Sequence, residues 1–309
     1  MKSRRRQNIP IIEQNHPYLP DVDRQQIQRA IRRPVRTLNA KEKAYIRRHK
    51  VYVTLTSDPE RVKYLPLMLS LLDTKHVHEI HVNLPRMYRN EIPYDAGDLM
   101  RLRRVDKVKV YRIPVDMGPI TKVLPTLRRV DDKDALIISI DDDIVYPRGM
   151  INEHIHTGIS HPNDICTGSG FSFLDFKKTA KNDGFDVKNM YKWWPSAVPA
   201  EWPFADIAEG FGSICYKKRL VDIDLMTVLN GKSKHCKLSD DFTINYSLQA
   251  NCVNRRVIAN RYLSLDLIHP LTVGEEKGLH VQTPPGTYWD YNTYKYVECS
   301  TDIKGRPAL

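Results

Sequence analysis

The 309-residue sequence contains no run of about 18 uncharged apolar residues, so no segment of it reads as a membrane-spanning helix. Cysteine is scarce. The five residues Cys166, Cys215, Cys236, Cys252 and Cys299 are odd in number, widely spaced and without a Cys-x-x-Cys pair. That spacing gives no support to zinc ribbons or dithiol redox motifs, and it predicts free, mostly buried thiols in a reducing compartment. The opening Met1-Lys2-Ser3-Arg4-Arg5-Arg6 has no apolar stretch behind it, unlike a secretory signal, so a cytoplasmic protein is expected. Acidic residues are few at the start: positions 1–50 hold 14 Lys/Arg against 4 Asp/Glu, which accounts for +10 of the formal +11. A domain that reads nucleic acid spreads basic charge over its folded surface, so no specific nucleic-acid partner is expected. Residues 1–49 read as a basic N-terminal extension, either a solvated arm or a peripheral contact with an anionic membrane.

What is present is ordinary for a globular chain, with 41% hydrophobic and 28% charged residues. Residues 50–57 (KVYVTLTS) are rich in β-branched side chains and predict a strand. Asp58-Pro59 opens a predicted helix to residue 72, with Val62, Leu65, Met68, Leu69 and Leu72 on one face. Strands are predicted at 77–84 (VHEIHVNL) and 108–113 (VKVYRI), then a helix over about 120–130. The near-continuous apolar run 135–140 (ALIISI) marks a central strand covered on both faces. Strand and helix in alternation predict an α/β fold with a mostly parallel sheet flanked by helices. Past residue 150 a helix near 149–160, a strand near 166–173, a polar aromatic-rich stretch to about 203 and a helix near 239–250 follow. One domain is expected over 50–309, a ligand half at 50–150 and a second-substrate half at 151–309.

Three clusters carry chemistry. Asp141-Asp142-Asp143 follows the buried strand, at the carboxyl end where open α/β sheets bind ligands. Alternate carboxylates there suit a hard divalent ion such as Mn²⁺ or Mg²⁺; a solvated acidic turn is the plain alternative. Asp116-Met117-Gly118-Pro119-Ile120-Thr121-Lys122 offers a helix start with a cation one turn in, which suits a phosphate or simply caps a helix. Ser239-Asp240-Asp241 begins the last long helix, and its acids read as an N-cap or as a general base.

The order of these blocks resembles the GT-A glycosyltransferases, close to the inverting GT2-like group and its relatives in bacterial, protist and large-DNA-virus surface-glycan synthesis. The resemblance spans about 50–255 and rests on VYVTLTSDPER, IHVNLP, DMGPITKVLPTL, IISIDDDIVYP, GFGSICYKKRL and LSDDFTINYSL. It implies a Rossmann-like GT-A sheet and a metal-dependent transfer of sugar from a UDP- or GDP-sugar to a glycan or glycoprotein hydroxyl. It further implies that Thr54, Thr56 and Arg61 flank the nucleotide, that Asp116 and Lys122 touch the nucleotide and its diphosphate, and that Asp141 and Asp142 face the donor. Asp143 and Asp141 would bind the metal, with His280 or His269 as a further ligand. Asp241 would be the base, Asp240 its rival. Gly210 and Gly212 would floor the acceptor pocket. Asn83 stands where many relatives carry an acid for the nucleotide base. Trp193 and Trp194 suit stacking on sugar rings, or packing under a long loop. Two other classes remain in view. A Mg²⁺-dependent nucleotidyltransferase would show a glycine-rich loop at the first strand, where VYVTLTSDPER has no glycine. A nucleic-acid binder would depend on the basic extension.

Overall fold

The computed structural model describes residues 35–171, 204–258 and 299. In chain order it begins with helix α1 (Ala40–Arg48) and strand β1 (Val51–Leu55), then a 3-10 turn at Val62–Tyr64 and helix α2 (Leu65–Leu71). Strand β2 (Glu79–Pro85), helix α3 (Ala96–Arg103) and strand β3 (Val108–Ile113) follow. A 3-10 turn at Gly118–Lys122 leads to helix α4 (Leu124–Arg129), strand β4 (Leu136–Ser139), helix α5 (Met150–Ser160) and strands β5 (Ile165–Thr167) and β6 (Gly170–Phe171). After the gap come strands β7 (Phe204–Ala205) and β8 (Ile207–Ala208), a 3-10 turn at Gly210–Gly212 and strand β9 (Ile214–Lys217). Helices α6 (Ile223–Asn230), α7 (Lys234–Lys237) and α8 (Asp240–Ala250) and strand β10 (Arg255–Val257) complete the order.

Among the described residues eight strands form one sheet in the order β3-β2-β1-β4-β9-β5-β10-β7. β9 runs against both β4 and β5, and β7 runs against β10; every other neighbouring pair is parallel. The α/β reading with a mostly parallel, helix-flanked sheet therefore holds. Side chains of successive strand residues point to opposite faces, and both faces here are covered. Val51, Val53 and Leu55 of β1 and Leu136 and Ile138 of β4 enter one apolar core, while Ile137 enters the other with Leu124, Leu127, Ile244 and Leu248. This double burial is why 135–140 is apolar without alternation.

Proline divides two helices that the sequence pattern predicts as continuous. Pro66 and Pro125 stand in the first turns of α2 and α4, where a missing amide donor costs nothing. The preceding turns, Val62–Tyr64 and Gly118–Lys122, stay tighter 3-10 segments. Helix α3 is absent from the sequence reading, although Asp95 caps it by accepting from the Asp98 amide at 2.9 Å.

The last residues of the stretch 1–49 pack against the rest of the chain. Asn39 and Glu42 form a reciprocal capping box at the start of α1. Leu38 is 2% exposed in the main core, Tyr45 Oη donates to the Asp134 carbonyl at 2.7 Å, and Asn152 Nδ2 donates to the Arg36 carbonyl at 2.7 Å. Residues 35–49 thus belong to the folded body despite their charge. A second correction concerns sulfur: Cys236 and Cys299 form a disulfide, while Cys166 and Cys215 are buried free thiols and Cys252 is exposed. Cysteine usage therefore no longer argues for a reducing compartment. Among the described residues no helix is long and apolar enough to cross a membrane.

Candidate active site

The parallel strands β1 and β4 deliver their carboxyl ends to one edge of the sheet, and antiparallel β9 brings its amino end to the same edge. Ser57, the Asp141–Asp143 block and the Gly210–Gly212 turn consequently meet there. The Gly118–Lys122 turn and the first turn of α8 close the group from one face of the sheet.

Lys122 is the hub. Its Nζ lies 2.9 Å from Asp141 Oδ1 and 2.8 Å from Asp240 Oδ2, with the side chain 7% exposed. Burial works against its charge, but Asp141, Asp240 and Asp241 overcome that and hold the ammonium well above the ordinary lysine range. Gly210 explains the closeness of the next acid. Its amide donates to Asp241 Oδ1 at 2.9 Å, and a Cβ there would stand 2.6 Å from Lys122 Nζ and 2.8 Å from Asp241 Oδ1. Only a residue without a side chain lets these two charged groups share one gap. Gly210→Ala is expected to push Lys122 and Asp241 apart and, under the function proposed below, to lower turnover about tenfold or more. Wild-type turnover from that variant would show that the spacing is slack.

Arg61 serves the other side of the acidic block. Its Nη1 donates to Asp143 Oδ2 at 2.8 Å, and its Nε lies 2.8 Å from Asp58 Oδ2 and 3.3 Å from Asp142 Oδ2. Burial opposes the guanidinium charge, but Asp142, Asp143 and Asp58 raise its pKa further. Asp142 is buried, accepts from Ser57 Oγ at 2.5 Å, and is pushed by burial up to about 7 against the pull of Arg61. Asp142 thus packs inward, while Asp141 and Asp143 are about a quarter exposed. Burial also raises Asp141 against the pull of Lys122. Asp241 is half-buried; burial and its neighbour Asp240 push it up to about 8 despite Lys122.

Among the described residues no three His, Cys, Asp or Glu side chains form a ready-made metal cage. Asp141 Oδ2 and Asp143 Oδ1 nonetheless receive no hydrogen bond from the described residues, since Lys122 and Arg61 engage the opposite oxygens. Two hard, half-open oxygen donors fit Mg²⁺ or Mn²⁺, ions that take few protein carboxylates and complete their shell from water and phosphate. The residues present therefore fit such an ion.

No protein-family model matches the chain, and no curated protein matches it. Among solved structures the chain is similar to glucosyl-3-phosphoglycerate synthase from Mycobacterium tuberculosis in complex with Mn²⁺, uridine diphosphate and glucosyl-3-phosphoglycerate. Identity is 12% and the TM-score 0.49, covering 89% of this chain and 86% of that one. The same synthase with Mg²⁺ and uridine diphosphate gives 12% and 0.48 over the same shares, and its complex with Mn²⁺, UDP-glucose and phosphoglyceric acid gives 13% and 0.47.

Several residues predicted to meet a ligand also take part in the scaffold. Thr54 is fully buried; its hydroxyl donates to the Lys122 carbonyl, lies 2.7 Å from Thr126 Oγ1 and accepts from Asn83 Nδ2 at 3.0 Å. Asn83 is equally buried, and its amide is spent on this network, which fixes the turn that aims Lys122. Thr54→Val is expected to destabilise the fold by about 1–3 kcal/mol, the cost of leaving buried polar partners unpaired. A denaturant midpoint unchanged from wild type would refute that. Asp116 accepts from the amides of Arg89 at 2.7 Å and Gly118 at 2.8 Å, so it pins two loops together. Gly118 has φ +74°, and a Cβ there would meet the Lys237 carbonyl at 2.5 Å, so this glycine is required by backbone packing. Gly212 is likewise a packing glycine: a Cβ would stand 2.3 Å from that of Ser169. Thr56 is half-buried at the end of β1. Trp193, Trp194, His269 and His280 lie outside the described residues.

Sequence reasoning passed over Tyr146. Its buried hydroxyl accepts from the Asp141 amide at 2.8 Å and donates to the Phe211 carbonyl at 2.8 Å, joining the acidic block to the Gly210–Gly212 turn. The aromatic in IDDDIVYP was visible, but nothing local signals a bond across 65 residues.

Proposed function

We propose that this chain is a glycosyltransferase that moves a sugar from a nucleoside-diphosphate donor to an acceptor hydroxyl with inversion at the anomeric carbon. The supporting observation is the buried Lys122 ammonium, held between Asp141 at the end of β4 and Asp240 at the start of α8, with Asp241 beside it at the Gly210 backbone. A buried cation beside a raised acid, next to two carboxylates whose second oxygens receive no hydrogen bond from the described residues, suits transfer with an anionic leaving group.

Asp141 and Asp143 would hold Mn²⁺ or Mg²⁺ through their free oxygens, and a bound ion there would offset the negative charge of the leaving diphosphate. Lys122 contributes a second positive charge toward the same leaving group without needing to be moved, because its neighbours already desolvate and orient it. Arg61 keeps Asp143 and Asp142 from repelling one another and faces the donor side of the block. Asp241 takes the proton from the acceptor hydroxyl. Its pKa near 8 makes it a stronger base than an ordinary carboxylate, and the Gly210 amide fixes one of its oxygens so that the other is aimed. A single base opposite the leaving group gives one displacement and hence inversion.

A thermal-shift screen of nucleotide-sugars with and without Mn²⁺ tests the reading. A ligand that binds only the native state raises the melting temperature, so a UDP- or GDP-sugar should do so in the presence of Mn²⁺. No shift with any nucleotide-sugar would overturn it. The acceptor is proposed to be a glycan or glycoprotein hydroxyl, and the stereochemistry of the isolated product decides inversion.

A further inference from the structure

Five large hydrophobic side chains are exposed among the described residues, and three of them, Met87, Ile92 and Val115, come from two adjoining loops. Arg86 to Ile92 form a tight reversal: Tyr88 and Ile92 are bridged as antiparallel partners, and Arg89 and Asn90 take φ of 51° and 64°. Side chains disfavour that left-handed region, so the turn persists only because something holds it. Asp116 does so by accepting from the Arg89 amide. The second loop is bound to the first, since the Arg86 amide donates to the Ile113 carbonyl at 2.7 Å and an Arg112 Nη donates to the Arg86 carbonyl at 2.5 Å. Met87 is thereby carried beside Pro114 and Val115, just past the paired ends of β2 and β3.

Exposed apolar groups on a strained, braced loop are costly to leave in water unless a partner covers them. Residues 86–93 and 112–115 hold three arginines against one acid, Glu91. Arg89 also lies over the Tyr88 ring, 5.4 Å from its centroid. Aliphatic tips with a rim of guanidinium groups match a surface that is apolar below and anionic above. We propose that this double loop docks the protein on an anionic lipid bilayer, with Met87, Ile92 and Val115 entering the headgroup boundary and Arg86 and Arg89 meeting lipid phosphates. Asp116 and the Gly118–Lys122 turn follow directly in the chain, so docking sets the carboxyl edge of the sheet close to the lipid surface. The contact is independent of the sugar-transfer reading and lies within the folded body, not in the basic extension.

The test is flotation of the full-length protein with phosphatidylcholine vesicles and with vesicles that also contain phosphatidylglycerol. Wild type should float only with the mixed vesicles. The triple variant Met87→Ser, Ile92→Ser, Val115→Ser should bind them at least about tenfold more weakly, because its apolar anchor is gone while its charge is intact. Its melting temperature should stay close to wild type, since none of the three side chains is part of the buried core; Ile92→Ser alone, with a smaller loss, guards against a folding defect. If the triple variant floats like wild type, the basic extension does the binding and the proposal fails. It fails equally if wild type does not float. A wild-type dimer that the triple variant splits, with no vesicle binding by either, would make the loops an interface between copies instead. Donor hydrolysis in detergent-free buffer should be the same for all of these proteins, which separates loss of docking from loss of the catalytic reading.

Discussion

Asp143→Ala is expected to remove metal-dependent donor turnover, by about a thousandfold or more, while leaving the fold intact. The carboxylate is about a quarter exposed, and among the described residues its ion-pair partner is Arg61, so alanine leaves no deeply buried cavity. What it removes is one of the two open oxygen donors at the end of β4. A metal that neutralises a leaving diphosphate contributes several kcal/mol to the transition state, which corresponds to the loss expected here. Without Asp143 the Arg61 guanidinium is still held by Asp58 and Asp142. Titration of Mn²⁺ into the protein with UDP present should then show binding weakened by about tenfold or more. An Asp143→Ala enzyme with wild-type turnover at saturating Mn²⁺ would remove Asp143 from the proposed metal site.

Asp241→Asn should cut transfer by about 10²–10⁴-fold and spare donor binding, because only the proton acceptor is lost. Asparagine keeps an oxygen for the Gly210 amide, so the turn should stay in place. The pH dependence gives a second reading with a defined sign. Asp241 acts as a base only when ionised, and burial and Asp240 hold its pKa near 8. Wild-type kcat/KM should therefore rise with pH through about 8 in the free enzyme, and the variant should lack that limb. Stability should move the opposite way. A carboxyl whose folded pKa is raised favours the fold fully below its unfolded value near 4, and that contribution is lost as pH rises through about 8. Asp241→Asn should melt above wild type at pH 9 and close to it at pH 5. A variant that keeps near-normal transfer, or a wild-type profile flat from pH 6 to 9, would move the base elsewhere.

The sheet was the most legible part of the chain, because strand pattern is a local property. The runs 50–57, 108–113 and 135–140 are β-branched or apolar, and the strands Val51–Leu55, Val108–Ile113 and Leu136–Ser139 lie inside them. Helix ends were less legible. Pro66 and Pro125 interrupt apolar spacing that by itself continues, and α3 has too short an apolar face to stand out. Residues 35–49 misled through charge, since a basic helix docks by Leu38, Tyr45 and a capping box, leaving its lysines in water.

By itself the sequence determined that acids would stand past a central buried strand, that a lysine would follow a Gly-Pro start, and that an acid pair would open the last long helix. These are statements about neighbours in the chain, and the periodicity of side chains along a strand or helix carries them. Only the tertiary structure decided what each group touches. It spent Thr54, Asn83 and Asp116 on the scaffold, turned Asp142 inward to Ser57, and set Lys122 between Asp141 and Asp240. The reason is that a buried donor or acceptor must find a partner within about 3 Å, whatever its distance along the chain. That requirement is met by the sheet order and the antiparallel return of β9, and neither can be read from any one segment.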